Sequence, residues 1–196
     1  YAGAPGAYNL TALGAGAGVT YNNVLGAKGV TLSTNYVSSN GMNAGGAGAT
    51  VTAQGGIMTD LSSSASVTQL SYTGDSLPWV GGSAWNFTAA YTYGQNIGPS
   101  IATPLVNTTP SIASNSIGLS GYWVPENTGW IPSVSTGWGV TTFVTPAGTG
   151  NTSKLQANSW YLGLQWADAF IKGNDAGMAL GQAPFATSTG GLAPAQ

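Results

Sequence analysis

The chain has 196 residues, of which 4% are charged, and its net charge is −2. A typical soluble protein carries about 25% charged residues, and no basic field is present to attract nucleic acid. Disordered chains are poor in aromatic residues, whereas this chain has seven Trp and nine Tyr, with neither Arg nor Cys. The composition therefore predicts a folded protein without nucleic-acid binding, disulfides or thiolate metal sites.

Membrane crossing is restricted to one kind of structure. Gly, Ser, Thr and Asn interrupt every apolar run, so no stretch approaches the roughly 18 apolar residues of a membrane helix. A chain of this kind that spans a bilayer is expected to do so as a β-barrel. The N-terminal residues Tyr1-Ala2-Gly3 show no basic or apolar signal-peptide region, so we expect a mature or partial sequence.

Alternation of apolar and small polar residues predicts β-strands along the chain. In chain order the clearest segments are 30–36, 85–93, 117–123 and 159–166, and weaker segments are 17–25, 50–54, 66–73, 134–145 and 176–182. Trp138 and Val140 are out of phase with Phe143, which predicts a β-bulge in that segment. At roughly 20 residues per strand and connection, the chain accounts for about 9–10 strands.

The connections are predicted to differ in length. Residues 26–29 and 172–175 have the glycine-containing sequences of tight turns. Residues 38–49 are rich in Gly and Asn, and residues 94–113 contain three prolines, so both are predicted to be long loops. Short turns and long loops together are typical of a barrel with one short-turn rim and one long-loop rim.

Each clear strand has an apolar side and a polar side. In a membrane barrel the apolar side contacts lipid and the polar side lines the lumen. The candidate lipid-facing residues are Trp85, Phe87, Tyr91, Tyr93, Trp160, Leu162, Leu164 and Trp166. The candidate pore-lining residues are Asn86, Thr88, Thr92, Ser120, Tyr122, Ser159, Tyr161 and Gln165. In the competing interpretation the apolar sides form the core of a soluble sandwich.

Charge placement favours the membrane interpretation. All charged residues except Asp168 are predicted to lie in turns or loops: Lys28, Asp60, Asp75, Glu126, Lys154, Lys172 and Asp175. A Lys or Arg on the lipid face costs about 2–4 kcal/mol at mid-membrane. Soluble sheets do the reverse and carry charges on strand positions and edges.

The stretch SWYLGLQWADAFIKGNDAGMALGQAPFATS, residues 159–188, resembles a segment of the cyanobacterial outer-membrane porins of the carbohydrate-selective OprB type, also known as iron uptake porins. The shared elements are an alternating tryptophan strand, Asp168, the Lys172-Gly173-Asn174 turn, and a glycine-rich strand that ends near Pro184. Elsewhere in the chain, the similarity is limited to the general pattern of the alternating strands.

The resemblance implies an all-β, antiparallel transmembrane β-barrel of about 16 strands, often a homotrimer at full length. It implies a passive channel in the outer membrane for small hydrophilic solutes, inorganic ions including iron, and carbohydrates. Family members have a signal peptide and an S-layer-homology domain, and neither is found here. We therefore expect residues 1–196 to be a portion of a single barrel domain that cannot close alone.

Catalytic and cofactor sites are not predicted. Nucleophilic and acid–base sites rely on His, Cys or paired acids, and Asp168 and Asp175 beside Lys172 are better explained as a charged hairpin end. Gly14, Gly16 and Gly18 precede no helix signal, so they do not form a nucleotide-binding loop. No enzyme activity, cofactor or metal is therefore expected.

An alternative function is a secreted or surface structural protein, adhesive and without a pore. In such a protein the tryptophans would be buried between sheets, whereas a porin would expose Trp160 and Trp166 on the convex side of one curved sheet. The two interpretations therefore differ in which face of the strand at 159–166 is covered.

Overall fold

A computed structural model describes residues 15–38, 63–75, 84–96, 113–126, 130–146, 152–169 and 171–188. These residues form one sheet of eight antiparallel strands, whose spatial order is the order along the chain. The strands are β1 (Ala15–Asn22), β2 (Val30–Ser38), β3 (Ser64–Gly74), β4 (Ala84–Gln95), β5 (Ala113–Val124), β6 (Ser133–Pro146), β7 (Thr152–Trp166) and β8 (Ala176–Ser188). The predicted all-β antiparallel fold is confirmed.

Within the described residues the sheet is open, because β1 and β8 form its two edges and do not pair with each other. The described strands number eight rather than the expected nine or ten, and the weak strand prediction at 50–54 lies outside the described residues. A short 3-10 helix, Val24–Gly26, joins β1 to β2. Among the described residues, no helix is long and apolar enough to cross a membrane.

The connections divide between the two ends of the sheet. Residues 23–29, 75–83, 125–132 and 167–175 connect strands at one end, which we call the short-connection end. Residues 39–63, 96–112 and 147–151 connect strands at the other, the long-connection end. The two longest connections share one end, which also has the shortest connection, 147–151.

Both predicted tight turns contain glycines in the left-handed region. Gly29 has φ +82°, and a Cβ there would lie 2.2 Å from the carbonyl oxygen of Thr73, so only glycine fits. Gly173 has φ +93°, and its backbone N–H donates to Oδ1 of Asp168 at 2.7 Å. Asp168 itself has φ 56° and belongs to this turn.

The bulge predicted in β6 is wrong. β6 pairs with β5 and with β7 without a register shift. Phe143 breaks the alternation because it packs on the polar side of the sheet, where it forms a buried cluster with Leu155 and Ala157. The irregular pairing lies between β7 and β8 instead, where the register shifts twice near Asn158.

One predicted charge position also needs correction. Lys154 lies within β7 rather than in a loop, although it is exposed and close to the long-connection end of the strand. Asp168, predicted near a strand body, lies in the turn after β7. Lys154 is therefore the only charged residue in the described strands, and Asp60 lies outside the described residues.

The buried cluster generates a stability prediction. Phe143 is 0% exposed, whereas Phe87 is 49% exposed on the opposite side of the sheet. Phe143→Ala is expected to cost about 3–5 kcal/mol, since it leaves a cavity in a packed cluster. Urea unfolding of the purified protein measures this cost, with Phe87→Ala as the matched control. A Phe87→Ala variant destabilised as much as Phe143→Ala would contradict the burial seen here.

Candidate functional site

The register assigns each strand residue to one of two faces of the sheet. Residues that pair across neighbouring strands share a face, and successive residues along a strand alternate between faces. Trp85 pairs with Trp123, Trp123 with Val134, Val134 with Leu164, and Leu164 with Met178. We call the side of the sheet that carries this row the aromatic face, and the opposite side the polar face.

Every residue predicted to face lipid lies on the aromatic face. Phe87, Tyr91, Tyr93, Trp160 and Leu162 are between 38% and 49% exposed. Trp85, Leu164 and Trp166 lie on the same face and are half-buried. The structure thus leaves large apolar side chains uncovered on one side of the sheet.

The aromatic face is more extensive than the predicted set. It also contains Leu32, Leu70, Tyr72, Ile117, Leu119, Trp138, Met178 and Leu180, all of them exposed. The alternation that would have identified those in β3 and β8 is weak, because small or polar residues share the face there. Cross-strand pairing, rather than sequence, identifies the residues of this face in β3 and β8.

Three aromatic rings on the aromatic face have their polar atoms paired within the protein, whereas the buried Oδ1 of Asn158 on the same face has no hydrogen-bond partner among the described residues. The indole N–H of Trp160 donates to Oε1 of Gln182 at 3.3 Å, and that of Trp166 donates to the carbonyl oxygen of Trp130 at 3.1 Å. The hydroxyl of Tyr91 donates to Oδ1 of Asn115 at 2.6 Å. These three rings therefore present apolar surface without an unpaired donor.

Every residue predicted to line a pore lies on the polar face. Asn86 pairs with Tyr122, and Thr88 pairs with Ser120, which places four of them side by side on β4 and β5. Ser159, Tyr161 and Gln165 lie on the same face of β7. Thr92 also lies on this face but is 5% exposed, so it is not accessible from the open part of the face.

The open part of the polar face is concave. A cavity of about 430 Å³ in its centre, which we call the inner cavity, is lined by residues from β3 to β7, including Gln69, Asn86 and Tyr161. On a flat sheet the outer members of five strands are about 19 Å apart, at about 4.8 Å per strand. Side chains from all five enclose one cavity because the sheet curves towards this face.

A second cavity of about 710 Å³, the outer cavity, lies next to the inner one towards the short-connection end. Tyr122 and Ser135 line both cavities, so the two form one trough. Asp175 at the end of the β7–β8 connection is the charged residue among those that line the trough. The inner cavity presents mainly hydroxyl, amide and small side chains. The lining of the outer cavity also includes the large apolar residues Trp123, Val124, Val134, Leu164 and Met178.

Beyond the inner cavity, towards the long-connection end, the polar face is buried. Its buried residues other than glycine are Ala65, Val67, Thr92, Ser114, Ser116, Thr141, Phe143, Leu155 and Ala157. The hydroxyl of Thr141 donates to Oγ of Ser116 at 2.8 Å within this region. The trough is therefore open towards the short-connection end and closed towards the other.

Charge is concentrated at one end of the described sheet. The connections of the short-connection end carry Lys28, Asp75, Glu126, Asp168, Lys172 and Asp175. Within the described ranges no group of three or more acidic, His or Cys side chains lies together in a way that would hold a metal ion. The inner cavity is thus a neutral, hydrogen-bonding part of the trough, and the charges lie near the trough's mouth.

Comparison with known proteins gives no further identification: no protein-family model, no curated protein and no solved structure matches this chain.

Proposed function

We propose that this chain forms part of the wall of a passive outer-membrane porin for small hydrophilic solutes, among them inorganic ions including iron, and carbohydrates. The observation that carries the proposal is the separation of two chemistries onto the two faces of one curved sheet. The aromatic face would contact the lipid of a Gram-negative, cyanobacterial outer membrane, and the trough would be part of the aqueous path.

The exposed area of the aromatic face supports contact with lipid. Side chains such as Leu119, Trp138 and Trp160 are 36–45% exposed on it, although monomeric soluble proteins rarely expose large contiguous apolar patches. Within the described strands only Lys154 is charged, and it lies near a strand end, where a long side chain reaches the interface. Exposure of this surface to water would be unfavourable, whereas contact with hydrocarbon would not.

The dimensions of the aromatic face also support a membrane location. Strands β3 to β8 have between 11 and 15 residues, whereas about 9–11 tilted residues suffice to cross a bilayer. Trp85 lies near the short-connection end of β4 and Tyr93 near the other, about 27 Å apart along the strand at about 3.4 Å per residue. In a strand tilted by about 35–45° from the membrane normal, this distance corresponds to about 20 Å across the bilayer. That value is close to the apolar band of about 25 Å between aromatic girdles.

The hydrogen bonds of three aromatic rings on the aromatic face support the same assignment. A polar group without a partner in hydrocarbon costs several kcal/mol. Trp160, Trp166 and Tyr91 all donate to protein oxygens, so their polar atoms need no water. In the structural or adhesive alternative these tryptophans would be buried between sheets, and the exposure of Trp160 at 45% argues against that arrangement.

The trough supports passage of small hydrophilic solutes with little preference for charge. Its polar groups include Gln69, Asn86, Thr88 and Ser120, which exchange hydrogen bonds with water and with neutral solutes alike. Selective channels place rings of charged side chains at the constriction, whereas Asp175 is the charged residue that lines this trough. The open edges at β1 and β8 would be closed by further strands, in a full-length protein that the resemblance implies is a trimer of about 16-stranded barrels.

The first test replaces two neighbouring residues that lie on opposite faces of β5. Leu119→Arg places a charge on the aromatic face near the middle of the strand, and we expect it to cost about 2–4 kcal/mol in lipid. Ser120→Arg places the same charge in the trough, where water solvates it, and we expect a much smaller cost. Urea titration of vesicle-reconstituted protein measures both. Equal costs for the two variants, or a larger cost for Ser120→Arg, would reject the lipid assignment.

The second test addresses conduction. Protein extracted in its native assembly with mild detergent should give discrete current steps in planar bilayers. Under a salt gradient the reversal potential should stay close to zero, because the trough has little charge to favour either ion. Bilayers that remain silent, or a strong anion or cation preference, would count against the proposed neutral path.

A further inference from the structure

Tyr161 has glycine as its cross-strand partner on both sides. Tyr161 lies in β7 and pairs with Gly137 in β6 and with Gly181 in β8. Gly163 follows on the same face of β7. A large aromatic side chain therefore stands on the polar face where both flanking positions lack a side chain.

The ring of Tyr161 lies over Gly137 and not over Gly181. A Cβ placed on Gly137 would lie 2.3 Å from Cε1 of Tyr161, 3.0 Å from Cδ1 and 3.1 Å from Cζ. A Cβ on Gly181 would meet the carbonyl oxygen of Trp160 at 2.8 Å and Cβ of Tyr161 at 3.0 Å, and no ring atom is among its nearest neighbours. The ring thus occupies the space that any residue other than glycine would need at position 137.

This placement directs the ring into the inner cavity. The register continues from Tyr161 through Gly137 to Ser120, so the ring extends across β6 towards β5. Tyr161, Ser120 and Tyr122 all line the inner cavity. The next positions on the polar face towards the long-connection end are small: Ser159, Gly139, Gly118 and Ala90.

We propose that Tyr161, whose ring occupies the space over Gly137, sets the size limit for solutes in the inner cavity. Because residue 137 is glycine, the tyrosine ring lies against the backbone of β6. The inner cavity is then as wide as it can be with a tyrosine at position 161. A methyl group at 137 would lift the ring away from the sheet and narrow the cavity, and loss of the ring would widen it. This inference rests on the proposed function, for which the trough is part of a solute path.

The test uses the absence of cysteine from the chain. Ser120→Cys places one thiol in the inner cavity beside the ring, and thiol-reactive reagents of increasing size are applied to protein reconstituted in lipid vesicles. The quantity measured is the largest reagent that modifies the thiol. The limit is compared in Tyr161→Ala, Gly137→Ala and the Tyr161→Ala/Gly137→Ala combination.

Two matched controls accompany these variants. Gly139→Ala lies two positions along β6 on the same face, and its Cβ would meet no atom closer than Oγ of Ser159 at 3.2 Å. Tyr161→Phe keeps the ring and removes only the hydroxyl. Both are expected to leave the size limit unchanged, and each guards against an effect of misfolding.

The expected result is a shift to larger reagents in Tyr161→Ala and to smaller reagents in Gly137→Ala. In the Tyr161→Ala background, Gly137→Ala is expected to have no effect, because no ring remains to be lifted. One limit shared by all variants, or a Gly137→Ala shift that persists without the ring, would overturn the inference, as would a thiol that no reagent modifies in any variant. Because the readout needs no current, silent bilayers together with shifted limits would reject the proposed channel and retain the role of Tyr161.

Discussion

The in-register pairing of β1 to β7 is the constraint on which the two-faced sheet depends. From β1 to β7 each strand pairs with the next without a register shift. Because side chains alternate with a period of two, a slip of one residue in any strand would move its apolar residues to the polar face. The regular register therefore keeps Phe87, Ile117, Trp138 and Trp160 on one surface.

Two packing environments follow from this register. On the aromatic face large side chains such as Phe87 and Trp138 stay exposed, and the polar atoms of Trp160, Trp166 and Tyr91 are hydrogen-bonded within the protein. On the polar face, hydroxyl, amide and small residues line the inner cavity. The buried cluster of Phe143, Leu155 and Ala157 gives the long-connection end of that face a packed interior. The internal hydrogen bonds matter in hydrocarbon because hydrocarbon offers polar groups no hydrogen-bond partner.

The sequence predicted the strands whose faces differ most in chemistry. In β4 and β7, aromatic residues alternate with small polar residues, so the strands and both residue sets could be placed on faces correctly. Lys154 was misplaced because a charge near a strand end resembles a charge in a turn. Phe143 suggested a bulge because an apolar residue on the polar face looks like a change of phase. The Tyr161 and Gly137 pair could not be predicted, because residues far apart in sequence meet only once the register is known.

Contact of the aromatic face with hydrocarbon is the central claim, and fluorescence quenching of one tryptophan tests it most directly. Trp138 lies near the middle of that face and is 44% exposed, so a variant that retains Trp138 and has Phe at the other tryptophan positions reports on this surface alone. In vesicles, lipids brominated in their acyl chains should quench its fluorescence strongly, and aqueous iodide should quench it weakly. Strong quenching by iodide with little effect of the brominated lipids would contradict the account.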